Sequence, residues 1–188
     1  MRRVIAVSAL LIFICVSSSG MAFDNHRRGF IIGGLGGVGL IIWNELEDNV
    51  KVNNGTDFVL HTDFRIGGGF KSGKILLYLW GGGNWFLYDR EDGDKDIDVS
   101  RNIGVGMSYY FKPTSPSLYI SAGIGRSSVG AHIFFNTGMG IIGGIGYEFA
   151  PHWSVEIDVM YGNPKYTNDT TRNTNFYAIT CSLIGIAY

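Results

Sequence analysis

Thr137 to Gly162, TGMGIIGGIGYEFAPHWSVEIDVMYG, limits the fold more than any other stretch. In steps of two, its first half puts Thr137, Met139, Ile141, Ile145, Tyr147 and Phe149 on one face. Gly138, Gly140, Gly144, Gly146 and Glu148 fall on the other. That is the period of a strand, not of a helix. After Ala150-Pro151-His152-Trp153 the alternation resumes, with Val155, Ile157, Val159 and Tyr161 opposite Ser154, Glu156, Asp158 and Met160. The stretch is therefore a hairpin with one apolar face and one polar or tiny face. A soluble sheet hides its apolar face in a core, whereas an outer-membrane barrel turns it to lipid around a polar lumen. Glycine is a poor coat against water but suits a crowded barrel interior, where small residues face large ones across the lumen.

The rest of the chain repeats this pattern. Phe58, Leu60, Thr62, Phe64, Ile66 and Phe70 oppose Asp57, Val59, His61, Asp63 and Arg65. Ile97, Val99, Ile103, Val105, Met107, Tyr109 and Phe111 oppose Asp98, Ser100, Asn102, Gly104, Gly106 and Ser108, and Arg101 alone interrupts the apolar face. Ile75–Tyr88, with Gly81-Gly82-Gly83 at its middle, Leu118–Arg126 and Phe176–Tyr188 add further strands, and the glycine-rich Phe30–Ile42 is the first. Residues 44–55, 89–96 and 163–174 read as polar loops, 71–74 and 112–117 as short turns. With the hairpin the count is eight strands, and the connections run long, short, long, short, moderate, short, long. A barrel with both termini in the periplasm has that order. It also predicts two aromatic girdles, Phe70, Tyr109, Phe111, Tyr147, Phe149, Trp153 and Tyr188 at the inner rim and Trp43, Trp85, Tyr161 and Phe176 at the outer.

Composition agrees. Charged residues are 16% of the chain, against about 25% in ordinary soluble domains, although no stretch outside the N-terminus is a convincing helical span. Met1-Arg2-Arg3, the apolar run Val4–Val16 and Ser17 to Ala22 have the three parts of a secretory signal, so residues 1–22 are expected to be cleaved and residues 23–188 to form one barrel domain. The mature chain would carry 13 Lys and Arg against 16 Asp and Glu, a balance of −3 that gives no footing for nucleic acid. Cys15 lies in the apolar run behind bulky Phe13-Ile14, which disfavours a lipoprotein signal. Cys181 would be the one cysteine left after cleavage, so no intrachain disulfide is expected.

Two glycine patterns invite other readings. Gly34 to Gly39 formally matches a dinucleotide fingerprint but lacks the strand and helix that motif needs. Gly29, Gly33 and Gly37 fit a helix-packing pattern in a run short for a span.

Two stretches look like a known group. In GIGYEFAPHWSVEIDVMYG (Gly144–Gly162) and in the terminal Leu183-Ile184-Gly185-Ile186-Ala187-Tyr188, the chain resembles the small outer-membrane β-barrel proteins of the OmpA/OmpX type. The resemblance implies an all-β, eight-stranded antiparallel up-and-down transmembrane barrel in the outer membrane of a Gram-negative bacterium. It also implies a closing strand read by the barrel assembly machinery, with Ile184, Ile186 and Tyr188 as the signal; the family usually ends in Phe, so Tyr188 departs mildly.

Some members of this kind modify lipid A, the deacylases through a His-x-Ser pair on a lipid-facing strand. His152-Trp153-Ser154 has that spacing but falls in a periplasmic turn, followed by Val155-Glu156 instead of an Asn-rich segment. His132 near Ser127 and Ser128 has no further catalytic context. Asp89, Asp92, Asp94 and Asp96 offer oxygens without the full spacing of a calcium loop. No catalytic residue, cofactor or metal is therefore assigned.

Parity sends His61, Asp63, Arg65, Asp98, Glu148, Glu156 and Asp158 into the lumen. Buried charges must pair or hydrogen-bond, so a plug held by ion pairs is favoured over a proton path or a binding site. The sequence thus favours a non-enzymatic, monomeric barrel serving envelope integrity or surface interaction through its outer loops. Its expected partners are outer-membrane lipid, lipopolysaccharide, the assembly machinery and an unidentified surface ligand. A lipid A-modifying enzyme and a narrow porin-like channel remain the alternatives.

Overall fold

The computed structural model describes residues 26–48, 50–89, 95–130, 136–166 and 172–188. The expected signal segment 1–22, His132, Asp92 and Asp94 lie outside the described residues. Eight strands follow one another: β1 (Gly29–Glu47), β2 (Val50–Gly69), β3 (Ile75–Asp89), β4 (Lys95–Tyr110), β5 (Ser117–Val129), β6 (Asn136–Ala150), β7 (Trp153–Tyr166) and β8 (Arg172–Ala187). Each pairs antiparallel with its sequence neighbours, and β8 returns to β1, with Ile32 opposite Ala187 and Glu47 opposite Arg172. Closure matters energetically because lipid cannot satisfy a free strand edge.

The two faces separate as the alternation requires. Leu60, Phe64, Ile103, Val105, Ile145 and Ile157 stand exposed on the outer wall. Tyr78, Trp80, Tyr110 and Tyr119 fill the lumen. The inward glycines make room for these rings: a Cβ on Gly146 would collide with the Tyr119 ring, and one on Gly106 with Tyr78.

The inner-side turns are tight. Phe70 N–H donates to the Ile75 carbonyl at 3.0 Å and Gly73 N–H to that of Phe70 at 2.9 Å, with Gly73 at φ +66°, a conformation that suits glycine. Between β6 and β7 only Pro151 and His152 intervene, and His152 takes φ +72°. Its ring Nδ1 lies 2.9 Å from the Ile186 carbonyl and its backbone N–H donates to the Tyr188 hydroxyl, fixing this uncommon backbone.

Three expectations need correction. Residues 44–55 are not a loop: β1 and β2 continue paired as far as Glu47 and Val50, with one irregularity beside Leu46. Above the lipid no apolar face is required, so the alternation fades while the ladder persists. Likewise β7 runs on to Tyr166 and β8 begins at Arg172, shortening the expected loop 163–174. The third correction concerns the girdles. Phe70, Phe111, Tyr147, Phe149 and Trp153 are exposed at the inner rim and Trp85 at the outer, but Tyr188, Phe176 and Trp43 turn into the barrel. On β8 the inward set is Thr180, Ser182, Ile184, Ile186 and Tyr188, all buried, while Tyr177, Ile179 and Leu183 face out.

Candidate functional site

The lumen holds a buried polar network built in three tiers. At the middle tier β2 presents Asp63 and Arg65 two residues apart, hence on one face, and β7 presents Glu156 and Asp158 in the same way. Arg65 and Glu156 meet as a two-pronged pair, Nη1 to Oε2 at 3.0 Å and Nη2 to Oε1 at 3.1 Å. Arg65 Nε donates to Asp63 Oδ2 at 3.1 Å, so one guanidinium spans two carboxylates. From β5, the Tyr119 hydroxyl donates to Glu156 Oε2 at 2.6 Å and the Ser121 hydroxyl to Oε1 at 2.7 Å. Glu156 therefore accepts four hydrogen bonds, two at each oxygen, which uses the full acceptor capacity of a carboxylate. Glu156 and its three donor residues are all buried, Arg65 at 2% exposure and Glu156 at 1%. Asp158 lies beside this pair, wholly buried, its oxygen in the space that Gly144 leaves open.

A second tier closes the inner end. Arg27, just ahead of β1, forms an ion pair with Glu148 of β6. Its Nη1 also donates to the Lys112 carbonyl at 2.9 Å and to that of Gly73 at 3.3 Å, tying together the two turns that flank the opening. The guanidinium lies 3.9 Å from the centre of the Tyr110 ring, a stacking arrangement that favours arginine over lysine. The Tyr188 hydroxyl donates to the other oxygen of Glu148 at 2.8 Å, and its ring lies against His152. Tyr110 stacks on Tyr119 at 4.6 Å, so the inner and middle tiers form one continuous network.

The third tier is neutral. His61 Nδ1 and Asn84 Oδ1 lie 2.8 Å apart, and Asn84 Nδ2 donates to the Ser100 hydroxyl at 3.2 Å. Above it a cavity of about 250 Å³ opens at the outer mouth, lined by Trp43, Phe86, Asp98 and Phe176 among others.

Of the seven charged or titratable residues assigned to the lumen by parity, the structure gathers Asp63, Arg65, Glu156 and Asp158 in the middle tier. Glu148 lies in the inner tier, His61 in the neutral one, and Asp98 half-buried at the mouth. Ile184, Ile186 and Tyr188 share one face, and it is the luminal face. Sequence reasoning missed Arg27, which precedes β1 and so has no strand parity to place it. The His152-x-Ser154 pair is not a lipid-facing arrangement: Ser154 is buried in the lumen with its hydroxyl 3.2 Å from that of Tyr119, while His152 is held by Ile186.

A family model described as the outer membrane protein beta-barrel domain matches residues 7–180. Among solved structures, Neisserial surface protein A (NspA) aligns over 85% of this chain and 97% of its own, at 15% identity and a TM-score of 0.54. Ail, the attachment invasion locus protein of Yersinia pestis, solved in complex with the heparin analogue sucrose octasulfate, aligns over 84% of this chain and 99% of its own, at 11% identity and a TM-score of 0.47. At 15% identity the likeness to NspA is one of fold. No curated protein matches the sequence.

Proposed function

The chain belongs to the outer membrane protein β-barrel family of Gram-negative bacteria, and from that premise we propose that it is a plugged, non-enzymatic barrel that serves envelope integrity or surface interaction through its outer hairpins. The observation that carries this reading is the Arg65–Glu156 fork with its Tyr119 and Ser121 donors. An eight-stranded wall encloses little more than its own side chains, and here those side chains are bonded to one another across the lumen instead of being free to hydrate a passing solute. A transport path would need that network to open.

Among the described residues, the paired extension of β1 and β2 above Trp43 faces the medium in this reading. It rises about five residues, roughly 16 Å at ~3.3 Å per residue, and exposes Val50 and Val52 among polar neighbours. From Val50 to Val59 the outer edge of β2 has no partner in β3, whose described pairing starts at Leu60 and Trp85. A ligand meeting this hairpin would find main-chain groups and two valines on a paired ladder. Mass spectrometry of lipid A from cells with and without the gene tests the reading: identical acylation and phosphorylation patterns are expected, and a gene-dependent change in the lipid would replace it with the enzyme.

A further inference from the structure

Arg101 on β4 and Arg126 on β5 both point out of the barrel, on the face otherwise given to Ile, Val and Leu. In the β4–β5 register Arg101 pairs with Ser128 and Ile103 with Arg126, so the arginines are diagonal neighbours on one face, about 7–8 Å apart at the backbone. Arg101 Nη1 donates to the Gly130 carbonyl at 3.1 Å. Among the described residues neither guanidinium has a carboxylate partner. Without a carboxylate among the described residues, two like charges side by side at a lipid boundary repel, and an anion between them removes that repulsion.

Their height on the wall identifies the anion's source. Arg101 is eight residues above Tyr109 on β4, and Arg126 eight above Leu118 on β5. For strands tilted ~40° that is about 20 Å along the membrane normal, close to the top of an apolar band about 25 Å tall. The guanidiniums therefore reach the outer-leaflet headgroups, where the cost of a cation on the lipid face falls to about 0–1 kcal/mol.

Beside them the wall is hollow. A groove of about 530 Å³ runs over Gly81–Gly83, bounded by Phe64, Trp85 and Ile103 and by both arginines. Trp85 lies across it, its indole N–H donating to the Thr62 hydroxyl at 3.0 Å. A Cβ on Gly81 would meet only Ile103 Cγ1, at 4.0 Å, so the space above it is open.

We infer that this wall carries a binding site for a phosphorylated glycolipid of the outer leaflet, one acyl chain lying in the Gly81–Gly83 groove and a phosphate held between Arg101 and Arg126. Arginine suits the task because its planar fork takes two phosphate oxygens at once. The site rests on the outer-membrane placement of the family and not on the surface-interaction reading, so either can fail without the other.

The test uses the full mature chain in detergent micelles, examined by native mass spectrometry with rough-type lipopolysaccharide, the same glycolipid dephosphorylated, and phosphatidylglycerol. One glycolipid is expected to bind wild type at least tenfold more tightly than it binds Arg101→Ala/Arg126→Ala, and dephosphorylation should cost as much. Gly81→Leu, which fills the groove without touching the arginines, should weaken binding several-fold, and Lys71→Ala in an inner turn should change nothing. Heat-dependent gel migration verifies that each variant is folded; Arg126→Gln, at an exposed position without an ion pair, provides the same comparison if the double variant is not. Unchanged affinity in the arginine variants, or equal binding of the dephosphorylated glycolipid, overturns the site. Equal binding of phosphatidylglycerol overturns the assignment to glycolipid.

Discussion

Arg65→Ala is expected to destabilise the barrel by about 3–5 kcal/mol, because it leaves Glu156 and Asp63 buried without their cation. Glu156 would keep the Tyr119 and Ser121 hydroxyls but lose both prongs of the guanidinium. Glu156→Ala should cost at least as much, since it takes the acceptor from both prongs of the Arg65 guanidinium, leaving it Asp63 alone, and takes the carboxylate from the Tyr119 and Ser121 hydroxyls at once. The molecule supplies its own control. Arg172 meets Glu45 at 3.4 Å near the outer mouth, with the arginine side chain 43% exposed, and an exposed pair of that kind contributes under about 1 kcal/mol. Equilibrium unfolding in urea from lipid vesicles, followed by tryptophan fluorescence and gel migration, measures both. A double-mutant cycle between Arg65 and Glu156 separates their coupling from the effects of each residue alone. If Arg65→Ala and Arg172→Ala shift stability equally, or the cycle shows no coupling, the lumen is hydrated and the plug is wrong.

Other consequences follow from the same geometry. Deleting Tyr188 should lower outer-membrane levels and raise periplasmic degradation, whereas Tyr188→Phe, which keeps the ring but loses the bond to Glu148, should insert normally with roughly 1.5–3 kcal/mol less stability; normal insertion after deletion would remove Tyr188 from the assembly signal. Gly146→Leu should destabilise severely, by more than about 3 kcal/mol, because its side chain would occupy the space of the Tyr119 ring; a near-neutral effect in vesicle unfolding would mean a looser interior. In intact cells a membrane-impermeant maleimide should label Val52→Cys and should reach Ser72→Cys only after permeabilisation, both in a Cys181→Ser background; the opposite pattern would invert the topology.

The alternation of the lipid-facing parts of β2, β4, β6 and β7 was legible, because residues facing lipid must be apolar and the period of two leaves little choice of register. The same parity carried Tyr78, Trp80, Tyr110 and Tyr119 inward, where they lie. Legibility stopped where lipid stops. Above the membrane both strand faces meet water, so the paired ladder of residues 44–47 and 50–55 looks like a polar loop in sequence. Trp43, Phe176 and Tyr188 misled for another reason: an aromatic near a strand end suggests a girdle, but strand parity outranks it. Trp43 shares its parity with Ile31, Leu35 and Ile41, and Tyr188 with Thr180 and Ser182, all of them inward. That signal was present and was the better one. In the site, Arg65 and Glu156 could be placed at matching depth from their distances to the turns at Lys71 and Pro151. Tyr119 and Ser121 as donors to Glu156 depend on the β5–β6–β7 register, and Arg27 on a segment outside any strand.

Planar-bilayer recording of the purified wild-type protein tests the plugged lumen most directly. The Arg65–Glu156 network and the Arg27–Glu148 closure beneath it predict no steady porin-sized current across the voltage range in which the bilayer is stable. A stable, large single-channel current from the wild type would contradict the account and make the lumen a water-filled path.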